Sequence, residues 1–500
     1  MKCVDLAVYN LEAFATHHEI EAFVIRKMKE ATADRPPFVV AISLMFSASY
    51  DLFKTVCSAA AQCWEDATVV VGGIHASNTI AQCLEDNPAV DYVVCGEGEE
   101  AFAELLDALA SGTDGDLTGI HSRTNIKRGL ATPFEHTLPV KNLDIDFTVY
   151  PRILDMSDYT QRTSLFSLSK TSLAVSSFAV MASRGCPGRC TFCASHTVHG
   201  RRPRWRTLEN TLAEIRWLHS EYGVTKVYLM DDNFIPKPKA IELFTALAAT
   251  GIPGFEVVIQ NLSINHTDHD LIDAVVKAGI NNIAYAIESG SSAVQKRIKK
   301  FVNLEKAFDI VAYSQGKGLN VRCFYIVGFP GETIEEMNET LDYARRLGAD
   351  WSSFNVAVPL PGSEMYDEFA SMGVLEDGPR SWGATSIRDR VFDTPQIAAL
   401  DLKEMAYRAN LDVNFVHNIN IRKGDYENAR IIFTNFIKSF DFHIFAHDCL
   451  RRICLHTGDD DGARRVQDQM KHLMETNPKA QSFRTYFDLL DDEIRSFLST

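Results

Sequence analysis

The sequence predicts an α/β protein in three parts: a truncated doubly wound, Rossmann-like domain, a partial (β/α)6 TIM-like barrel, and an α-helical C-terminal region. Three observations predict it. Apolar strand-like runs alternate with helical stretches from residue 173 to 358, the signature of a parallel sheet. A shorter alternation of the same kind occupies residues 38–110. Beyond residue 391 the strand signals stop and a helical repeat begins.

The barrel elements follow one another in order. The apolar run Leu173 to Ala182 is the first strand, followed by a helix with the stripe Leu208, Leu212 and Ile215. TKVYLMD at 225–231 precedes a helix to about 250, and FEVVIQ at 255–260 precedes the helix LIDAVVKAG. NNIAYAIES, a helical stretch to 318, VRCFYIVG, the helix TIEEMNETLDYARRLG and the strand WSSFNVAV complete the series. Barrels of this class carry their chemistry at the C-terminal ends of the strands.

Before the barrel, FVVAISL, a helix from about Tyr50 to Trp64, TVVVGG, a helix near 78–86, VDYVVCG and the helix EEAFAELLDALA read as βαβα. We assign residues 1–111 to this domain and 112–172 to a connector with a hairpin candidate around GIHSRTNIKRGL. The barrel takes 173–390 and the helical region 391–500. There GDYENAR at 424–430 recurs 34 residues later as GDDDGAR at 458–464, with Ala429, Ile432 and Phe436 matching Ala463, Val466 and Met470. This looks like two degenerate tetratricopeptide (TPR-like) units, too few to stand alone and thus expected to dock on the barrel, with a protein partner as their functional reading and a helical cap as the plainer one.

The most informative segment is RGCPGRCTFCAS. Cys186, Cys190 and Cys193 supply three thiolates, and Pro187 and Gly188 allow the tight turn that brings them together. Three ligands leave one corner of a four-iron cluster open for chemistry. A closed zinc site with His196 or His199 as fourth ligand is the alternative on these residues alone. The surrounding barrel pattern favours the cluster, because this loop, Asp231-Asp232-Asn233, Glu288 and GFPGET all fall at strand C-termini.

CPGRCTFC, followed in order by MDDNF, IESGS, GFPGET and VPLPGSEMY, closely resembles the radical SAM enzymes with an N-terminal cobalamin-binding domain, over about residues 38–375. The resemblance implies a [4Fe–4S] cluster on the three cysteines. S-adenosylmethionine (SAM) would bind the open iron and be cleaved by one electron to methionine and a 5′-deoxyadenosyl radical. It implies that Phe192 borders the adenine, Met230, Asp231 and Asp232 meet the methionine amino group, Glu288 reaches SAM, and Ile326 to Gly328 pass the adenine. Gln260 stands where many relatives have arginine. It further implies methyl transfer to an unactivated carbon of a small-molecule or lipid-like substrate, with a flavodoxin- or ferredoxin-like reductant. Radical rearrangement, cyclisation or bond formation is the alternative within the enzyme class, and a non-enzymatic sensor or scaffold the alternative outside it.

For cobalamin, the resemblance points to Ser43 with its following loop, Gly72 and Gly73, His75 in GGIHAS, and Gly96 and Glu97 in GEGEE. The chain as written opens at VDLAVYN, which resembles that domain's second strand, so the first βα unit is missing. No D-x-H-x-x-G is present, so no histidine of that motif ligates cobalt.

A net charge of −16 argues against generic nucleic-acid binding. The basic run HGRRPRWR at 199–206 is expected either to hold an anionic group of substrate or cofactor or to be a solvated loop. No 18-residue apolar run, no signal-peptide pattern and eleven cysteines without a disulfide-like pattern lead us to expect a cytoplasmic protein without a transmembrane segment. Cys449 and Cys454 are expected in the core.

Overall fold

The computed structural model describes residues 17–33, 35–113, 117–124, 136–160, 176–375 and 389–499. In the N-terminal part, β1 (Val39–Ser43), β2 (Thr68–Gly72) and β3 (Tyr92–Val94) lie side by side in parallel, and β4 (Ile120–Ser122) joins antiparallel to β3. β2 and β3 are apolar on both faces because both are covered. Val69, Val71 and Val93 enter one core, Val70 and Val94 the other. The strands follow chain order without reversal among the described residues, so the doubly wound pattern is not seen there, and the strand expected at VDLAVYN lies outside them.

Other departures are local. The helix expected from about residue 78 starts earlier, as Ile74–Asn78, and continues after Thr79 as Ile80–Asp86. The hairpin candidate in the connector instead donates Ile120–Ser122 to the sheet, and its residues 125–130 lie outside the described ones. Helix His17–Thr32, which the sequence reading did not identify, packs Val24 on Val56 and Ala59 of helix Tyr50–Cys63.

The barrel follows the expected alternation. β5 (Ser177–Val180) is followed by the short pair β6 (Ser183–Arg184) and β7 (Arg204–Trp205), which brackets the cysteine loop. Then β8 (Lys226–Leu229), β9 (Glu256–Ile259), β10 (Asn282–Glu288), β11 (Asn320–Val327) and β12 (Trp351–Val356) extend β5 into a six-stranded parallel sheet in chain order. Alternate residues, among them Val227, Val257, Tyr285 and Cys323, pack on the surrounding helices in one large core. Side-chain caps start those helices: Thr207, Asp268 and Asn303 each accept an amide, and Thr333 forms a capping box with Glu336.

From Ala399 onward the described residues are helical apart from short turns. Asp425 and Asp459 cap helices Tyr426–Ser439 and Asp460–Thr476, which is the physical content of the 34-residue recurrence. Ala429, Ile432, Ala463 and Met470 are buried, with Phe436 and Val466 partly so. Cys449 and Cys454 are buried as expected.

Helix Ala399–Leu411 and the wide turn Asp412–Val416 lie along β12. Asn410 accepts from the Phe354 amide at 3.1 Å and donates to its carbonyl at 3.0 Å. Asn414 does the same for Ser352, at 2.7 and 2.6 Å. Four helical residues rise ~6 Å and two strand residues ~6.6 Å, so carboxamides spaced four apart match a strand edge. Among the described residues no helix is long and apolar enough to cross a membrane.

Candidate functional site

The cysteine loop leaves the sheet between β6 and β7. Gly185 takes φ +91°, a conformation that needs glycine. At Gly188 a side chain would stand 3.4 Å from the Cys186 sulfur and 3.7 Å from that of Cys190, so the bare backbone leaves room beside both thiols. Burial pushes the Cys193 thiol up to about 11 and raises that of Cys190. Iron would bind these sulfurs as thiolates. Among the described residues no three ligating side chains converge on a single-ion site. A cubane does not ask for that, because its ligands sit on separate irons.

Asp231 and Asp232 follow β8 and secure the loop. Ser183 donates to Asp231 at 2.5 Å, and burial pushes that carboxyl up to about 6. Burial acts the same way on Asp232, but hydrogen bonds from His199 and Ser195 outweigh it and hold the carboxyl low. Those bonds measure 3.2 and 2.6 Å, and the Gly185 amide adds a third at 3.1 Å. The Nδ1 atoms of His199 and His196 therefore face oxygen acceptors, Asp232 and the Cys193 carbonyl. Met230, directly after β8, is half-exposed.

Glu288 ends β10 at a register shift, with φ +70°, unusual for a side chain of its size. Gln295 holds the turn by donating to the carbonyls of Ile287 and Ser289 at 2.7 and 2.6 Å. Burial pushes the Glu288 carboxyl up, against the pull of Lys300, whose Nζ lies 3.4 Å away. Burial opposes the charge of Lys300, yet Glu288 and the thiols of Cys190 and Cys186 more than compensate and raise its pKa. Its ammonium also stands 6.0 Å over the Phe192 ring. Phe192 packs against Phe329, 5.8 Å between centroids, with Ile326 in the same apolar cluster. Gly328 has φ +84° and lies against Leu402 of the helical region.

The sequence reading missed two residues. Lys300 carries no local signal, since it sits in an ordinary basic stretch after a helix. Asn261 stands beside Gln260: its Nδ2 reaches the Asp232 carbonyl at 3.5 Å, and its Oδ1 is buried with no hydrogen-bond partner. An orphaned acceptor beside Asp232 at the C-terminal end of the strands fits a ligand rich in donors, as SAM is.

The cobalamin loops divide. Ser43 is exposed at the end of β1, followed by exposed Met45 and Phe46. Gly73 has φ +102°, and a side chain there would stand 2.6 Å from the Leu44 carbonyl oxygen, while one at Gly72 would meet only ordinary contacts. Gly73 is thus required by the protein's own backbone. His75, expected beside the cofactor, lies buried in helix Ile74–Asn78 with Nδ1 2.8 Å from the Ser47 hydroxyl, and burial pushes it down to about 4. Open edge glycine and serine, apolar Met45 and Phe46, and a neutral histidine fit a large, mainly apolar ring.

Gly96 and Glu97, expected beside that cofactor, are instead engaged by protein. Thr137 of the connector lies on Gly96, and both oxygens of Glu97 meet Arg204, at 2.6 and 2.8 Å. The basic run is equally occupied: Arg201 donates to the Gly188 carbonyl, and Arg206 pairs with Glu214 at 2.6 Å. Arg204 and Arg206 are thus held by the carboxylates of Glu97 and Glu214, so neither expected reading holds for these two, while Arg201 stays partly exposed beside the cluster loop. Asn78 donates to Thr197 at 2.9 Å, so helix Ile74–Asn78 sits directly on helix His196–His199 after the cluster loop.

Comparison with known proteins agrees with this arrangement. The Radical SAM superfamily matches residues 180–344, and the B12 binding domain matches residues 5–106. An uncharacterised methyltransferase of Pyrococcus horikoshii is 31% identical over 333 residues, 66% of this chain and 69% of that one. The chain belongs to the cobalamin-binding radical SAM family. It is a radical SAM enzyme whose cofactors are a [4Fe–4S] cluster, SAM and cobalamin, which decides for the cluster over zinc. Cytidylyl-2-hydroxyethylphosphonate methyltransferase of Streptomyces wedmorensis is 29% identical over 419 residues, 78% of this chain and 77% of that one. In fold, the chain resembles the cobalamin-dependent radical enzyme OxsB bound to aqua-cobalamin and SAM. That match has TM-score 0.57 and 13% identity, covering 95% of this chain and 76% of OxsB.

Proposed function

We propose that this family member is a methyltransferase that places a methyl group on an unactivated carbon of a small-molecule or lipid-like substrate. The observation that carries the reading is the seating of helix Ile74–Asn78 on helix His196–His199, which brings the Ser43–Ser47 and Gly72–His75 edge beside the cluster loop. The two relatives named above as methyltransferases align with 66% and 78% of this chain. When bound, the cofactors supply one-electron cleavage of SAM and a methyl carrier.

The chain's own residues hold and orient. Cys186, Cys190 and Cys193 would ligate the cluster and leave one corner open. Met230, Asp231 and Asp232 present the end of β8 to the methionine end of SAM, with the Asn261 acceptor beside them. Glu288 and Lys300 form an ion pair that offers a cation to a carboxylate and an anion to an ammonium or hydroxyl. Phe192, Ile326 and Gly328 line the adenine side. Ser43, Gly72, Gly73 and His75 would form the cobalamin edge.

In this reading residues 1–111 form the cobalamin domain, 112–172 the connector, 173–390 the barrel, and 391–500 a TPR-like helical region available to a protein partner. A flavodoxin- or ferredoxin-like protein supplies the electron. Anaerobic reconstitution with substrate extracts tests the reading. S-adenosylhomocysteine is expected together with 5′-deoxyadenosine, and Cys190→Ala should abolish the 5′-deoxyadenosine. 5′-Deoxyadenosine alone would overturn methyl transfer in favour of rearrangement or cyclisation, and no SAM turnover under any reductant would leave a sensor.

A further inference from the structure

The base of the cluster loop carries a charge pattern that the loop cannot neutralise itself. In the antiparallel pair of β6 and β7, Arg184 stands directly opposite Arg204. Like charges facing each other across a ladder repel. The counter-charge comes from the N-terminal domain. Glu97, three residues after β3, places Oε1 2.6 Å from one guanidinium nitrogen of Arg204 and 3.5 Å from Arg184. Its Oε2 lies 2.8 Å from the other terminal nitrogen of Arg204 and accepts the Val140 amide at 2.7 Å. Arg204 also donates to the carbonyls of Val140 and of His199, the latter at 2.9 Å. Glu99 takes the outer side of Arg184 at 2.6 Å. The Glu97 side chain is 1% exposed. One carboxylate thus joins the GEGEE loop, the connector and both strands at the base of the cluster loop.

We propose that Glu97 is a positioning residue, whose two-point pair with Arg204 fixes the cobalamin edge against the cluster loop and thereby sets how SAM divides between methyl donation and one-electron cleavage. The partition half rests on the methyltransferase reading above. A planar guanidinium and a carboxylate joined at two points fix orientation as well as distance, which a lysine in place of the arginine does not. Cleavage needs SAM only on the cluster, held by barrel residues. Methyl donation also needs it turned to the other domain. Loosening the junction should therefore harm the second use far more than the first, since a displacement of about 1 Å costs up to ~100-fold in rate.

The test uses the full-length, reconstituted protein with Glu97→Gln and Arg204→Lys, each close in size to the native residue so that the fold is kept. Both should retain the cluster and hold cobalamin within about twofold of wild type, while the ratio of S-adenosylhomocysteine to 5′-deoxyadenosine falls roughly tenfold. A second readout needs no cofactor: hydrogen exchange in the cluster-free chain should accelerate across residues 74–78 and 196–205 in both variants. A lowered melting temperature with unchanged ratio and exchange overturns the proposal and leaves a merely stabilising pair. Loss of cobalamin affinity with unchanged exchange also overturns it, making Glu97 a direct cofactor contact. If wild type makes no S-adenosylhomocysteine, the methyltransferase reading fails, and the exchange result still decides whether Glu97 holds the junction.

Discussion

Glu332 in GFPGET is a fully buried acid whose cost depends on pH. Its Oε2 accepts the amides of Gly328 and Phe329 at 2.6 and 2.9 Å, which fixes the turn after β11. Burial pushes the carboxyl from 4.5 up to about 7, more strongly than those two amides pull it down. A folded-state value above the unfolded one means that stability is fully present below about 4.5 and lost as pH rises through about 7. The rise from 4.5 to about 7 corresponds to roughly 3 kcal/mol. Glu332→Gln keeps an acceptor for both amides and cannot titrate. Urea unfolding of the cluster-free chain at several pH values measures the difference between variant and wild type. That difference should move by roughly 3 kcal/mol in the variant's favour from about pH 4.5 to about pH 8. A difference that stays constant across that range refutes the assignment of a protonated, buried acid to this turn.

Further outcomes concern the cofactors. Gly72→Ala meets only ordinary contacts, so the variant should fold yet retain less cobalamin after gel filtration, whereas wild-type retention would move the cofactor away from this edge. Gly73→Ala, forced against the Leu44 carbonyl at φ +102°, should cost about 1–3 kcal/mol of stability in thermal unfolding, with or without cobalamin. Lys300→Met removes a cation near Cys190 and Cys186 and should lower the cluster's midpoint potential, because reduction adds negative charge that the ammonium stabilises. Lys300→Arg should restore most of it, and an unchanged potential in the methionine variant would place the charge too far from the cluster to matter.

Much of the barrel was legible because its strands are short apolar runs set apart by polar and glycine turns, a pattern that local sequence carries. The cysteine loop was legible because all its ligands lie within eight residues. Lys300 was not, since its meaning comes from Glu288 and the thiols, which the fold brings to it. Arg204 was misread for the same reason: the acid that claims it lies 107 positions earlier. Gly73 was read as making room for a cofactor, while its strained conformation and the Leu44 carbonyl give the backbone its own reason for glycine. The 34-residue recurrence was legible as helix spacing because each copy begins with an aspartate cap.

The asparagines along β12 have a consequence for how this protein must be handled and how it can change. An uncovered outer strand is a template on which another chain can add itself, and the usual deterrents are charges, prolines or bulges. Here the hydrogen-bonding positions of Ser352 and Phe354 are already filled by carboxamides from a helix. Among the described residues the sheet therefore ends at β12 without inviting a further strand on that edge. The helical region cannot be treated as a detachable appendage: cutting before Ala399 would bare these positions and remove the Leu402 side chain from Gly328 in one step. A shortened form is thus expected to self-associate through this edge, and the catalytic barrel of this chain is only as monodisperse as the helix that lies beside it.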